Sequence, residues 1–284
     1  MSASGKPLVI WMFVDGKPGH QNQSEGLVAA LGRQMDTQVI RLPALPFWKT
    51  LFNKLFSKSH GLDFAPKPDL LIGAGHATHA ALILMRWFYG GKSIVLMKPS
   101  LPIFLFDLCL LPEHDGRSHS SKVIMTKGVL NRIAPSGKNQ INQGMILIGG
   151  PSRHYGWDEA KLVNKVNKII EAMPQIQWTL TDSRRTPEST SQKLFAIKAK
   201  NYEFITHKVV DPDWLPERLN KSFYAWVSED SVSMVYESLT AGNHVGLIEV
   251  PKNRISRVSS GVALLINEGY LQTFDDWLDV DRLN

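Results

Sequence analysis

Short apolar runs of strand length alternate along this chain with stretches whose apolar residues recur every three or four positions. Residues 8–14 form an unbroken apolar run, and residues 24–35 place Leu27, Val28, Leu31 and Met35 on one helical face. Residues 39–42 and 69–72 are strand-like, and residues 77–88 align Ala77, Ala80, Ala81, Leu84 and Phe88 as a helix. Residues 93–97, 107–111 and 123–126 complete the first half as strands. The alternation restarts at 145–148. A helix over 158–173 then turns Leu162, Val163, Val166, Ile169 and Ile170 inward and Lys161, Lys165 and Lys168 outward. Strands follow at 176–181, 202–205, 223–227 and 245–249. Helices are predicted after Thr186-Pro187, taken as an N-cap with proline at the first helical position, and over 231–241 and 254–268.

Strand and helix in alternation predict parallel sheets covered on both faces. The polar, turn-rich residues 134–144 separate two such series. The expected fold is therefore α/β, with two Rossmann-like domains facing a cleft: an N-terminal domain over 1–134 and a C-terminal domain over 145–284. The final helix and tail are expected to pack back on the N-terminal domain.

The 284 residues, 43% hydrophobic and 20% charged, suffice for two domains and exclude disorder. With 32 Lys and Arg against 26 Asp and Glu, the net charge of +6 favours an anionic partner without choosing among nucleotide phosphates, nucleic acid and an acidic membrane surface. The single cysteine, Cys109, sits in an apolar run and points to a buried thiol in a reducing compartment. No apolar stretch is long enough to span a bilayer and the N-terminus lacks a signal core, so a soluble or peripheral, non-secreted protein is expected.

Ligands of open α/β sheets bind beyond the carboxyl ends of the strands, and five strand ends here carry glycines, hydroxyls or charges. They are Asp15-Gly16-Lys17-Pro18-Gly19-His20, Gly73-Ala74-Gly75-His76, Gly149-Gly150-Pro151-Ser152-Arg153, Thr181-Asp182-Ser183-Arg184-Arg185 and Ser228-Glu229-Asp230-Ser231-Val232-Ser233. Small residues let backbone approach a phosphate, and a helix N-terminus offers free N–H groups. Neither a Walker A sequence nor Gly-x-Gly-x-x-Gly is present, which argues against P-loop phosphoryl transfer and ordinary dinucleotide binding. His20 is either a loop histidine bonded to backbone or a general base. Arg153, Arg184 and Arg185 suit bidentate phosphate contacts. Glu237, about 9 Å along a helix from Ser231, is placed for ribose hydroxyls. His76 with His79, and His114 with His119, lack further ligands at metal spacing, so no metal is expected.

Residues 46–58 put Phe47, Trp48, Leu51, Phe52, Leu55 and Phe56 on one stripe flanked by Lys49, Lys54 and Lys58. The stripe is either a core-facing helix or an interfacial one that touches an anionic membrane through Phe47, Trp48, Phe52 and Phe56.

Asp15-Gly16-Lys17-Pro18-Gly19-His20-Gln21-Asn22-Gln23, Gly73-Ala74-Gly75-His76-Ala77-Thr78, Gly149-Gly150-Pro151-Ser152 and Ser228-Glu229-Asp230-Ser231-Val232-Ser233-Met234 together resemble the ELM-type mitochondrial fission family, over nearly the whole chain. That family holds plant organelle-fission factors and bacterial relatives described as glycosyltransferases. More distantly the layout is similar to GT-B glycosyltransferases such as the peptidoglycan N-acetylglucosaminyltransferase. There a glycine-rich first loop ends in His, matched by Gly16, Gly19 and His20, and a Gly-Gly-Ser opens the second domain, matched in part by Gly149, Gly150 and Ser152. Lys17-Pro18 stands where that loop has small residues, and the chain is short for two full domains of that kind.

The resemblance implies a GT-B-like, metal-independent enzyme without a cofactor that moves a sugar from a nucleotide diphosphate sugar to an acceptor, lipid-linked or of the cell envelope. Residues 1–134 would be the acceptor side and 145–284 the nucleotide-sugar side, and His20 or Asp15 would be the base. Gly16, Gly19, Gly75, His76, Gly149, Gly150, Ser152, Arg153, Ser183, Arg184, Arg185, Ser228, Asp230, Ser231, Ser233 and Glu237 would hold the donor. A cytoplasmic protein, peripheral at the inner face of a membrane and without a nucleic-acid partner, is implied. The alternative is a non-catalytic, membrane-associated adaptor of the organelle-fission type.

Overall fold

The computed structural model describes residues 6–44, 65–253 and 257–280. The chain divides into two compact units, Met1–Arg132 and Ile133–Asn284. The amphipathic segment 46–58, with Phe47, Trp48, Phe52 and Phe56, lies outside the described residues.

In the first unit, strands β1 (Leu8–Val14), β2 (Thr37–Pro43), β3 (Leu70–Ala74), β4 (Lys92–Leu96), β5 (Leu108–Pro112) and β6 (Val123–Thr126) form one parallel sheet in the order β2-β1-β3-β4-β5-β6. Helix α1 spans Pro18–Gly32 and α2 spans His79–Tyr89. Successive side chains of β1 enter opposite layers, as the period of two requires. Val9, Trp11 and Phe13 pack with Ala81, Leu82 and Met85 of α2, whereas Ile10 packs with Leu27, Val28 and Leu31 of α1. Both faces are thus covered, which is why the strand is apolar throughout. Cys109 is wholly buried in the first of these layers, and desolvation pushes its thiol pKa up.

The second unit contains β7 (Gln140–Leu147), α3 (Glu159–Ala172), β8 (Gln177–Thr181), α4 (Glu188–Phe195), β9 (Tyr202–Phe204), α5 (Trp214–Lys221), β10 (Ser222–Ser228), α6 (Val232–Thr240), β11 (His244–Ile248), α7 (Arg257–Asn267), β12 (Leu271–Thr273) and α8 (Phe274–Val280). Its sheet is again parallel, in the order β12-β11-β10-β7-β8-β9, the open doubly wound arrangement of a Rossmann-like domain. Leu162, Val166, Ile169 and Ile170 of α3 are buried against Ile146, Trp178 and Leu180. Strand glycines make room for indoles: a Cβ on Gly144 would stand 2.3 Å from Trp178, and one on Gly246 2.4 Å from Trp226.

Several expectations are corrected. Helix α1 begins at Pro18, before its apolar stripe, because proline fixes the first helical φ and Lys17 occupies the cap. Residues 140–144, expected as linker, are the first half of β7, exposed at 140–142 and paired with Ser222 and Tyr224 of β10. Helix α4 starts at Glu188 with Pro187 as cap, since the Thr186 hydroxyl is turned toward Gly149 and Ile148. Phe274 and Trp277 of α8 surround Trp226 and add to the core of the second unit.

Among the described residues no helix is long and apolar enough to cross a membrane.

Candidate functional site

Strand order reverses beside β1 and β3 in the first sheet and beside β7 and β10 in the second, and crevices for ligands open at such points. Four of the five quoted strand-end motifs fall there, and the fifth, at 181–185, follows β8 beside β7. Beyond β1, Gly16 turns the chain at φ +79°, a conformation costly for any residue with a Cβ. The turn brings the Asp15 carboxylate, 3% exposed, onto the loop that enters α1: Oδ1 accepts the Lys17 N–H at 3.1 Å and Oδ2 lies 2.8 Å from Nδ1 of His20. Beyond β3, Gly75 at φ +80° lies under the imidazole, and a Cβ there would stand 2.3 Å from His20 Cε1. Thr78 donates its hydroxyl to the Gly75 carbonyl at 2.8 Å, fixing that turn.

Burial alone would raise the Asp15 pKa, but the hydrogen bonds from His20 and the Lys17 amide, with both their charges, bring it below its ordinary value. An ionised carboxylate can only accept, so Nδ1 carries the proton and Nε2 is the basic atom. A histidine oriented by a carboxylate in this way has the geometry of a general base.

The second unit is organised differently. Gly149 N–H donates to Ser228 Oγ at 2.7 Å, and Gly150 N–H to Asp230 Oδ2 at 2.8 Å. Ser228 donates to Asp230 Oδ1 at 2.8 Å, and Arg185 Nη2 lies 2.7 Å from Oδ2 while its Nη1 donates to the Gly150 carbonyl at 2.7 Å. Five of the expected donor-binding residues therefore meet, but they meet on one another: Gly150, Ser228 and Arg185 on the carboxylate of Asp230, and Gly149 on the Ser228 hydroxyl. The two glycines serve this clasp. A Cβ on Gly149 would lie 2.1 Å from Asp230 Oδ2, and one on Gly150 2.0 Å from the Arg185 carbonyl. Burial pushes the Asp230 pKa up, and the pull of Gly150, Arg185 and Ser228 does not reverse it.

Ser231 caps α6 without a side-chain cap bond and is buried, Ser233 is exposed in the first turn, and Glu237 is half-buried in the second. Arg184 and Arg153 are exposed, and Arg153 bonds its neighbour His154 at 2.9 Å. Ser152 accepts the amides of His154 and Tyr155, and Ser183 bonds Thr186, so both hydroxyls shape turns. Gly19 sits in α1 with open space around it. His76 is exposed, whereas His79 is buried on Ser100 with its pKa lowered by burial and by His76. Among the described residues no three His, Cys, Asp or Glu gather as a metal site.

Sequence reasoning missed four participants. Thr186 bonds Gly149 and Ser183. Glu229, buried beside Asp230, pairs with Lys252 at 2.7 Å, and the pKa of Tyr155 is raised by burial first and then by both acids. His207 places Nδ1 2.7 Å from Asp182, a second carboxylate–histidine pair at the end of β8. Asp182 stands in a quoted motif, but nothing local in the sequence joins it to a histidine 25 residues on.

Comparison with known proteins gives the fold a context. The profile of the family described as Mitochondrial fission ELM1 matches residues 18–284. An uncharacterized protein of Rickettsia prowazekii (strain Madrid E) is 24% identical, over 94% of this chain and 90% of its own. The structure is similar to the glycotransferase of kitacinnamycin, with a TM-score of 0.57 and 12% identity over 97% of this chain and 90% of that one. It is also similar to a UDP-N-acetylglucosamine 2-epimerase, with a TM-score of 0.55 and 12% identity over 98% of this chain and 87% of that one. The fold is therefore GT-B-like: two Rossmann-like domains of the kind found in glycosyltransferases and sugar-nucleotide epimerases.

Proposed function

The chain belongs to the mitochondrial fission ELM1 family, and from that premise we propose that it is a glycosyltransferase that uses a nucleotide diphosphate sugar. The observation that carries this reading is the Asp15–His20 pair at the switch point of the first sheet. Asp15 fixes the tautomer, and Nε2 of His20 accepts the proton of the acceptor's nucleophilic group. In the second unit the Ser231-led helix and the exposed Arg153 and Arg184 receive the diphosphate, where negative charge develops as the bond to the sugar breaks. Glu237 accepts the ribose hydroxyls. No step calls for a metal. The acceptor is lipid-linked or a cell-envelope glycan, met at the inner face of a membrane through Phe47, Trp48, Phe52 and Phe56.

The test is a thermal-shift and titration panel of UDP-, GDP-, dTDP- and CMP-sugars. A ligand that binds only the native state raises the melting temperature, so at least one nucleotide diphosphate should do so. Indifference to the whole panel would remove the reading. For the membrane part, Trp48→Glu with Phe52→Glu should abolish sedimentation with anionic liposomes at low salt while the protein stays folded.

One observation favours the second reading, a non-catalytic adaptor. The Gly149 and Gly150 amides, expected from the sequence to help hold a donor, are already bonded to Ser228 and Asp230.

A further inference from the structure

Three donors of different kinds converge on the Asp230 carboxylate: a backbone N–H from Gly150, the Ser228 hydroxyl and the Arg185 guanidinium, all within 2.8 Å. A Gly-Gly amide, a hydroxyl and a planar guanidinium fork form the donor set that holds a carboxylate or a phosphoryl group equally well. The carboxylate also fills the space that a side chain at Gly149 would need. Its side chain is fully buried, whereas that of Arg185 is 42% exposed. An anion arriving from solvent therefore meets Arg185 first and finds the rest of the cradle taken. Asp230 lies between the end of β10 and the start of α6 and belongs to neither element.

We propose that Asp230 occupies, in cis, an oxyanion cradle formed by Gly150, Ser228 and Arg185, and that a phosphoryl group enters it only by displacing this carboxylate. The cradle stands on its own geometry; that the phosphoryl group belongs to a nucleoside diphosphate rests on the donor reading above. On this view Asp230 is a built-in competitor that weakens anion binding to the resting protein, and the paired glycines exist to seat it.

The test compares wild type, Asp230→Ser and the near-isosteric Asp230→Asn by calorimetry and thermal melts. The probes are inorganic phosphate, pyrophosphate and UDP, with sodium chloride matched for ionic strength. Asp230→Ser should melt lower in chloride, and phosphate or pyrophosphate should restore the loss. Either anion should bind the variant at least about tenfold more tightly than wild type, the order of a charge-assisted bond gained. Adding Arg185→Met should cancel that gain. Folded variants that show no anion-specific gain overturn the cradle. Where Asp230→Ser fails to fold, Asp230→Asn is read in the same way. Should neither fold, refolding yield with and without phosphate decides, with no rescue counting against the proposal. Pyrophosphate bound by Asp230→Ser, with no nucleotide sugar bound by any variant, keeps the cradle and removes the donor. UDP bound by wild type and unaffected by Asp230→Ser does the reverse.

Discussion

Asp15 and Asp230 both lie just past a strand that borders the switch point of its sheet, and both are buried, yet they do opposite things. Asp15 holds one ring nitrogen of His20 and leaves the other for chemistry. Asp230 gathers an amide, a hydroxyl and a guanidinium and satisfies all of them. Their titration differs accordingly: the bonds to Asp15 outweigh burial and lower its pKa, whereas burial outweighs the bonds to Asp230 and raises it. A glycine-rich strand end can thus be an open seat or a closed clasp. Which it becomes depends on whether the neighbouring carboxylate finds a bifunctional partner. Asp182 belongs with Asp15 in this respect, because it too fixes one nitrogen of a histidine, although Ser191 and Thr206 also bond it.

The comparison breaks most decisively at His20. With a donor in hand from the nucleotide panel, His20→Ala should lower turnover by about 10²–10⁴-fold while leaving donor affinity nearly unchanged. Equal loss of affinity would place His20 in a clasp of its own. Next is Gly149→Ala, whose Cβ would collide with Asp230. Overpacking together with lost charge-assisted bonds should cost about 3 kcal/mol in urea unfolding. A neutral result would mean that the clasp yields easily. Glu237→Ala should weaken nucleotide binding by about 1–3 kcal/mol, as titration of the folded variant would register.

The smallest effect is one of sign, read from unfolding across acidic pH. Asp15, lowered in the fold, contributes stability that is present above its ordinary pKa of 3.8 and is lost as pH falls through the folded value. Asp230, raised in the fold, does the opposite: stability falls as pH rises from 3.8 through its folded value. Asp15→Asn should therefore flatten the acid-side loss, and Asp230→Asn should flatten the loss on the other side. Changes of the same sign in both variants would end the contrast. Glu159, held at about 2 by Lys193, Ser189 and Thr190, supplies a control outside both sites, since Glu159→Gln should trim stability only above about pH 2.

The amino-acid sequence by itself determined what depends on period and local chemistry. Two series of apolar strands and amphipathic helices follow from runs such as 8–14 and from the stripe of Leu162, Val166 and Ile169, because burial on both faces leaves no polar alternation in a parallel strand. It also placed reactive residues at strand ends, since Gly16 and Gly75 mark turns that only glycine adopts cheaply. Tertiary structure decided which of those residues meet. Asp230 reaches Gly150 and Arg185 across 80 and 45 positions of chain, and His207 reaches Asp182 across 25, distances over which no local pattern carries information. Strand order sets these encounters: β10 lies beside β7, and β9 beside β8, so their ends adjoin, and Arg185 reaches Asp230 from the end of β8 across that of β7. Donors and acceptors buried there must pair with whatever the neighbouring strand end presents.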